Sequence, residues 1–150
     1  MRITSLDGDS IELRIVGYQF PDSGFSPGDQ DANWLVVSGH VRQGDESWSF
    51  RDPSLMTWEA QQLLSWLQYA SHSRPEQIDF IEPNISFEVT RSGGDEIVIT
   101  LTLRGEAAPP SIAEPDRWDL GCAMALRVSR SSLSGAAREW ERDLAGFPVR

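Results

Sequence analysis

From Glu96 to Arg104 the chain reads Glu-Ile-Val-Ile-Thr-Leu-Thr-Leu-Arg, with Ile97, Ile99, Leu101 and Leu103 at every second position. Successive side chains of a strand point to opposite faces, so this spacing places four large apolar groups on one side of a sheet. Just before it, Ser92-Gly93-Gly94-Asp95 has the composition of a tight hairpin turn, which pairs Ile85–Thr90 with Glu96–Arg104 antiparallel. The pattern recurs. Ile3 and Leu6 precede the turn Asp7-Gly8-Asp9, and Ile11, Leu13 and Ile15 then alternate with Glu12 and Arg14 until Gly17 marks a bulge or strand end. In the segment Trp34–Arg42, Leu35, Val37 and Val41 share one face while Trp34, Val36 and His40 share the other, as in a central strand covered partly on both sides. Gln43-Gly44-Asp45 turns the chain into a strand carrying Trp48 and Phe50, which Asp52-Pro53 is expected to end because Pro cannot continue a ladder. Ile78–Ile81 and Leu120–Val128 complete the set, the latter with Leu120, Cys122, Met124, Leu126 and Val128 inward.

Two segments change to helical spacing. Ala60, Leu63, Leu64, Leu67 and Ala70 form one stripe, with Trp66 and Tyr69 beside it, Thr57 as N-cap, Glu59 in the first turn and Pro75 as the stop. Leu133, Ala137, Trp140 and Leu144 form the other, beginning near Ser131 or Ser132 and ended by Gly146 and Pro148. Residues 21–30 and 105–115 read as loops. Strands joined by tight turns pair antiparallel, and they do not alternate with helices, so a doubly wound parallel sheet is not expected. The expected fold is α+β: one domain over residues 1–150. Its curved antiparallel sheet, or two packed sheets, holds about seven to eight strands, with helices at about 57–71 and 132–145.

Composition narrows the partners. The 150 residues contain 13 basic and 23 acidic side chains, a net charge of −10. Each half of the chain carries −5, so there is no acidic tail. That charge opposes nucleic acid and anionic membrane and favours a basic partner or plain solubility. Every basic residue is Arg, none Lys. Cys122 is the only cysteine, which excludes an internal disulfide. The opening residues MRITSLDGDS lack the apolar core of a signal peptide, and no apolar run approaches the ~20 residues that span a bilayer; the expectation is a cytoplasmic protein.

No motif of catalytic specificity is present. His40 sits mid-strand and His72 at the polar end of a helix, and neither has a partner at metal-ligand spacing. Cys122 lies on an apolar strand face, where a thiol is inert. Serines occur in neither a Gly-x-Ser-x-Gly nor a Ser-x-x-Lys context. Asp29-x-Asp31-x-Asn33 matches the first three ligand positions of a calcium loop. Trp34 then stands where Gly is needed and His40 where the bidentate Glu belongs. A noncanonical cation site in the loop from Asp22 to Asn33 is one alternative. In the other, Asp31 and Asn33 bond to local backbone and set the entry to the next strand. No catalytic residue, metal or cofactor is therefore expected. Of the six Trp, Trp48, Trp58, Trp66 and Trp140 fall on core stripes; Trp34 and Trp118 flank loops and are either core or interface anchors.

The segments Gly17-Tyr18-Gln19-Phe20-Pro21, then Asp31-Ala32-Asn33-Trp34-Leu35, then Asp52-Pro53-Ser54-Leu55-Met56-Thr57 occur in an order and spacing, over residues 11 to 68, that resembles the WapI-type immunity protein family. The resemblance implies a cytoplasmic, non-enzymatic protein that neutralises the C-terminal domain of a cognate polymorphic toxin, often a nuclease. No catalytic residue is carried over with it. A nuclease domain is usually basic, and an acidic inhibitor would be steered to it by charge. On that reading Asp22, Asp29 and Asp31 of the acidic loop, with Trp118, are the candidate contacts, and the edge strands and the Gly105–Asp119 loop come next. The alternative is a small-ligand or cation-binding β-rich module.

Overall fold

A computed structural model describes residues 1–21, 29–73 and 75–150. Strands β1 (Arg2–Thr4), β2 (Ser10–Tyr18), β3 (Trp34–Gln43) and β4 (Glu46–Met56) form one antiparallel sheet in sequence order. Helix α1 (Thr57–Ala70) follows. Strands β5 (Ile85–Gly93), β6 (Glu96–Leu103) and β7 (Cys122–Ser129) form a second antiparallel sheet. A four-residue helix α2 (Asp116–Asp119) precedes β7, and α3 (Arg130–Leu144) follows it. This is the expected α+β architecture in its two-sheet form.

The alternation on β6 has the predicted result: Ile97, Ile99, Leu101 and Leu103 are fully buried. Their face joins Ile11, Leu13, Leu35, Val37 and Val41 of the first sheet in one hydrophobic core, closed by Leu63 and Leu67 of α1 and Leu133 and Trp140 of α3. Complete burial of such a side chain is worth about 1.5–3 kcal/mol. Trp140 also satisfies its one polar atom there, donating Nε1–H to the Ala60 carbonyl at 2.9 Å, and so fastens α3 to α1. The two sheets meet where β1 runs into its turn: Leu6 N–H donates to Arg127 O at 2.8 Å and Arg127 N–H to Ser5 Oγ at 3.1 Å.

The local expectations divide along physical lines. Gly17 does mark a bulge, since the β2–β3 register shifts between Ile15 and Gly17. Asp52-Pro53 does not end β4. Pro53 pairs with Val36, and the register shift places Ser54 as an extra residue before Leu55 pairs with Leu35. Pro is tolerated because β4 is the outer strand of its sheet and is bulged there.

Thr57 is not the N-cap but the first helical residue. Met56 occupies the cap, and buried Glu59 accepts the Met56 N–H at 2.8 Å. The second oxygen of Glu59 accepts Ile81 N–H at 2.7 Å, tying the helix start to the 78–84 segment. That segment is not a strand. Ile78 alone bridges Phe87, and the Ile81 N–H is taken by Glu59 instead. Pro75 does not stop α1, which ends five residues earlier at Ala70, with Ser71 as C-cap. Leu120 is 70% exposed, not inward, because it caps α2 and lies outside β7. The last helix starts at Arg130 because Ser129 is its cap, accepting Ser132 N–H at 3.1 Å. Leu144 and Trp58 are half-buried where full burial was expected.

Candidate functional site: an acidic groove walled by tryptophan

Three of the irregularities above converge. The bulge at Ser54 sets Asp52 and Pro53 at the outer end of β4; the non-strand segment after Ile78 presents Glu82; and the stretch between β6 and β7 contributes Glu106 and Trp118. With Trp34 and Gln19 these residues line a groove of about 430 Å³. Glu106 belongs to a 3₁₀ turn, Gly105–Ala107, and Trp118 to α2. The ring of Trp118 lies directly on Gly105. A Cβ there would stand 2.4 Å from Trp118 Cη2, and the backbone has φ of +52°. Gly105 is therefore both the turn's left-handed residue and the seat of the ring. Trp118 remains 40% exposed and Trp34 is half-buried.

The electrostatics of the groove are one-signed. Asp52, Glu82 and Glu106 all face it, and among the described residues no Arg pairs with any of them. Burial pushes the Asp52 carboxyl above its ordinary value, and the negative charges of Glu106 and then Glu82 push it further. The hydrogen bond from Asn84 Nδ2, at 2.9 Å, works the other way. Asn84 itself is buried, and its Oδ1 has no donor among the described residues. A second cavity, beside Arg2, Arg14, Arg142, Glu12, Glu139 and Asp143, is charge-mixed: Arg14 Nε sits 2.8 Å from Glu12 Oε1, and the Arg2 backbone N–H donates to Glu139 Oε2 at 2.9 Å.

Of the residues singled out from sequence, Trp118 and Trp34 both line the groove. Asp22 falls outside the described residues. Asp29 and Asp31 lie on the 3₁₀ turn Gln30–Asn33 that leads into Trp34, but they do not line the groove. The turn-setting role expected of Asp31 falls to Asp29. The Asp29 carboxylate caps that turn by accepting Asp31 N–H at 3.2 Å, whereas the Asp31 carboxylate is exposed and takes no part in the turn's hydrogen bonds. Asn33 is the local organiser, as expected, and reaches further than its neighbours. Nδ2 donates to Asp29 O and Arg150 O, and Oδ1 accepts from Thr57 Oγ1–H and Arg150 N–H. Tyr18 holds the same terminal segment. Its hydroxyl bonds Pro148 O, its ring meets Phe147 edge-on, and Arg150 stacks over it 3.5 Å from the ring centroid.

The groove carboxylates Asp52, Glu82 and Glu106 are not legible as a cluster in the sequence because they come from three separate segments with no shared spacing. Asp52-Pro53 is conspicuous inside an otherwise regular strand, but it reads as a strand end and not as part of a site. Elsewhere, His40 and His72 are exposed, with His40 Nδ1 bonded to Ser49 Oγ at 2.9 Å. Cys122 is half-buried, donates to Gln43 Oε1 at 3.2 Å, and has its thiol pushed up by burial and by Glu46. Among the described residues no group of three or more His, Cys, Asp or Glu is disposed to hold a metal ion, and no helix is long and apolar enough to cross a membrane.

The fold is α+β with two antiparallel sheets, and its groove joins three carboxylates to two tryptophans. Residues 2–148 match the immunity protein WapI-like family, and the chain belongs to that family. No curated protein and no solved structure matches it.

Proposed function

We propose that this protein binds and neutralises the C-terminal toxin domain of a cognate polymorphic toxin, that the domain is a basic nuclease, and that neutralisation is by occlusion in the cytoplasm without any enzymatic step. The family match over residues 2–148 carries the reading. The net charge of −10 supports a basic partner, because opposite charge accelerates encounter and an acidic surface competes for sites that bind phosphate. Trp118 supplies an exposed aromatic anchor of the kind enriched in interface hot spots. Asp29 and Asp31, with Asp22 earlier in the sequence, contribute steering charge. Asp31→Asn is the cleanest probe of that contribution, because its carboxylate is exposed and the turn does not use it.

The test is co-expression with the cognate toxin domain, sought first in the genes neighbouring this one. Cells expressing the toxin domain alone should stop growing and lose nucleic acid integrity, and cells expressing both should grow. A toxin domain that kills equally well in the presence of this protein contradicts the proposal.

A further inference from the structure

We propose that the groove between Trp34 and Trp118 is the receptor for one arginine side chain of the toxin domain, its guanidinium stacked on tryptophan and held by Asp52, Glu82 and Glu106. This deepens the reading above and rests on it for the identity of the partner; the chemistry of the groove stands by itself.

Three observations converge on a guanidinium. The groove offers aromatic surface and carboxylates together, and a planar cation uses both, stacking on the rings while its N–H fork bonds to carboxylate oxygens. Its three acids have no Arg partner among the described residues, although the chain has 13 Arg and pairs them at other places such as Arg127–Asp7. The groove is also rich in acceptors: among the described residues its three carboxylates receive one side-chain hydrogen bond, from Asn84 Nδ2 to Asp52. A group with five N–H donors suits such a surface; an ammonium, with three donors and a tighter hydration shell, suits it less well. Burial, and after it the charges of Glu106 and Glu82, push the Asp52 carboxyl up, which accords with a groove of one-signed charge.

The geometry of the wall is built in. Gly105 lets the Trp118 ring lie flat on the backbone beside Glu106, and Trp34 is fixed by its place at the head of β3.

The test uses the intact protein and three blocked tripeptides, acetyl-Gly-X-Gly-amide with X as arginine, lysine or citrulline, the last being uncharged and shaped like arginine. Indole N–H resonances of Trp34 and Trp118 are followed by NMR at low salt. The arginine peptide should shift them saturably, at least about fivefold more tightly than the lysine peptide, and the citrulline peptide should leave them unmoved. Glu106→Gln, an exposed change that leaves the core untouched, should weaken the arginine peptide about fivefold. Trp118→Ala, followed through Trp34, should do the same. Equal shifts from arginine and citrulline, or lysine binding as well as arginine, overturn the assignment. Against the toxin domain, Glu106→Gln should weaken the complex by a similar factor. A toxin neutralised equally by wild type and by Glu106→Gln overturns the groove's role while leaving the immunity function intact. A toxin that does not bind at all refutes the function reading, with the peptide result still reporting on the groove.

Discussion

Asn33 distinguishes a fold determinant from a partner contact within the family's motif. It is 3% exposed and joins three separated parts of the chain: the turn at Asp29, the start of α1 at Thr57, and Arg150. In Asn33→Ala the Thr57 hydroxyl, itself fully buried, loses its acceptor at 2.9 Å; a buried hydroxyl without a partner costs about 1–3 kcal/mol. The long bond to Asp29 O adds about 0.5–1 kcal/mol, and the two bonds to exposed Arg150 add little because water replaces them. The expected loss is about 2–3 kcal/mol, a fall in Tm of roughly 4–12 °C for a chain of this size. Thr57→Val should cost less, and a cycle with Asn33→Ala should return a coupling of about 1 kcal/mol. The assay is urea denaturation followed by tryptophan fluorescence. A loss below about 0.5 kcal/mol, the size of an ordinary surface change, would refute the structural role and move Asn33 to the list of contacts.

Other consequences follow from single residues. Gly39→Ala would place a Cβ 2.1 Å from Phe50 Cε1, so the buried ring must shift, and denaturation should show a loss of about 1–3 kcal/mol; unchanged stability would mean the ring is free to move. Cys122, half-buried with its thiol pushed up, should react with a maleimide or disulfide reagent at least about tenfold more slowly in the native protein than in urea at the same pH; equal rates would overturn its inert reading. For Asp52 the folded state holds its proton more tightly than the unfolded chain does. Stability from this site is therefore greatest below the ordinary carboxylate value of 3.8 and falls as pH rises through the raised folded value. Asp52→Asn should accordingly gain on wild type across that interval and keep the gain at neutral pH, as followed by thermal melts from acid to neutral. A gap that closes as pH rises would show the sign to be wrong.

Regular elements were legible because each announces its own period. Ile97 through Leu103 report β6, Leu63 and Leu67 report α1, and Gly93-Gly94 reports the turn between β5 and β6, all through neighbours within a few positions. What failed depended on partners distant in sequence. Residues 78–81 have strand composition, but the Ile81 N–H is taken by Glu59, twenty-two positions earlier. Pro53 reads as a strand end, yet the strand's outer position and the extra Ser54 allow it. Leu120 fits the alternation of β7 but is withdrawn from it by α2, a helix too short to leave a periodic trace. The groove is the extreme case. Its lining comes from the end of β2, from β3 and β4, and from two connecting segments, so no single window contains it. Only Trp34 and Trp118 stood out beforehand, because a large aromatic beside a loop is conspicuous by itself. Asp29 and Asp31 show the finer limit. Spacing indicated that one acid shapes the turn, but which of the two does so is decided by the backbone geometry of a single 3₁₀ turn.

The central claim, that an acidic member of the WapI-like immunity family captures a basic toxin domain by charge and an aromatic anchor, is tested most directly by association kinetics. The purified protein and its cognate toxin domain would be mixed at ~0.02 M and ~0.5 M salt and followed through tryptophan fluorescence. The account predicts a tight complex whose association rate falls at least about tenfold over that range, with a much smaller change in dissociation. An association rate indifferent to salt, or no complex at either concentration, would contradict it.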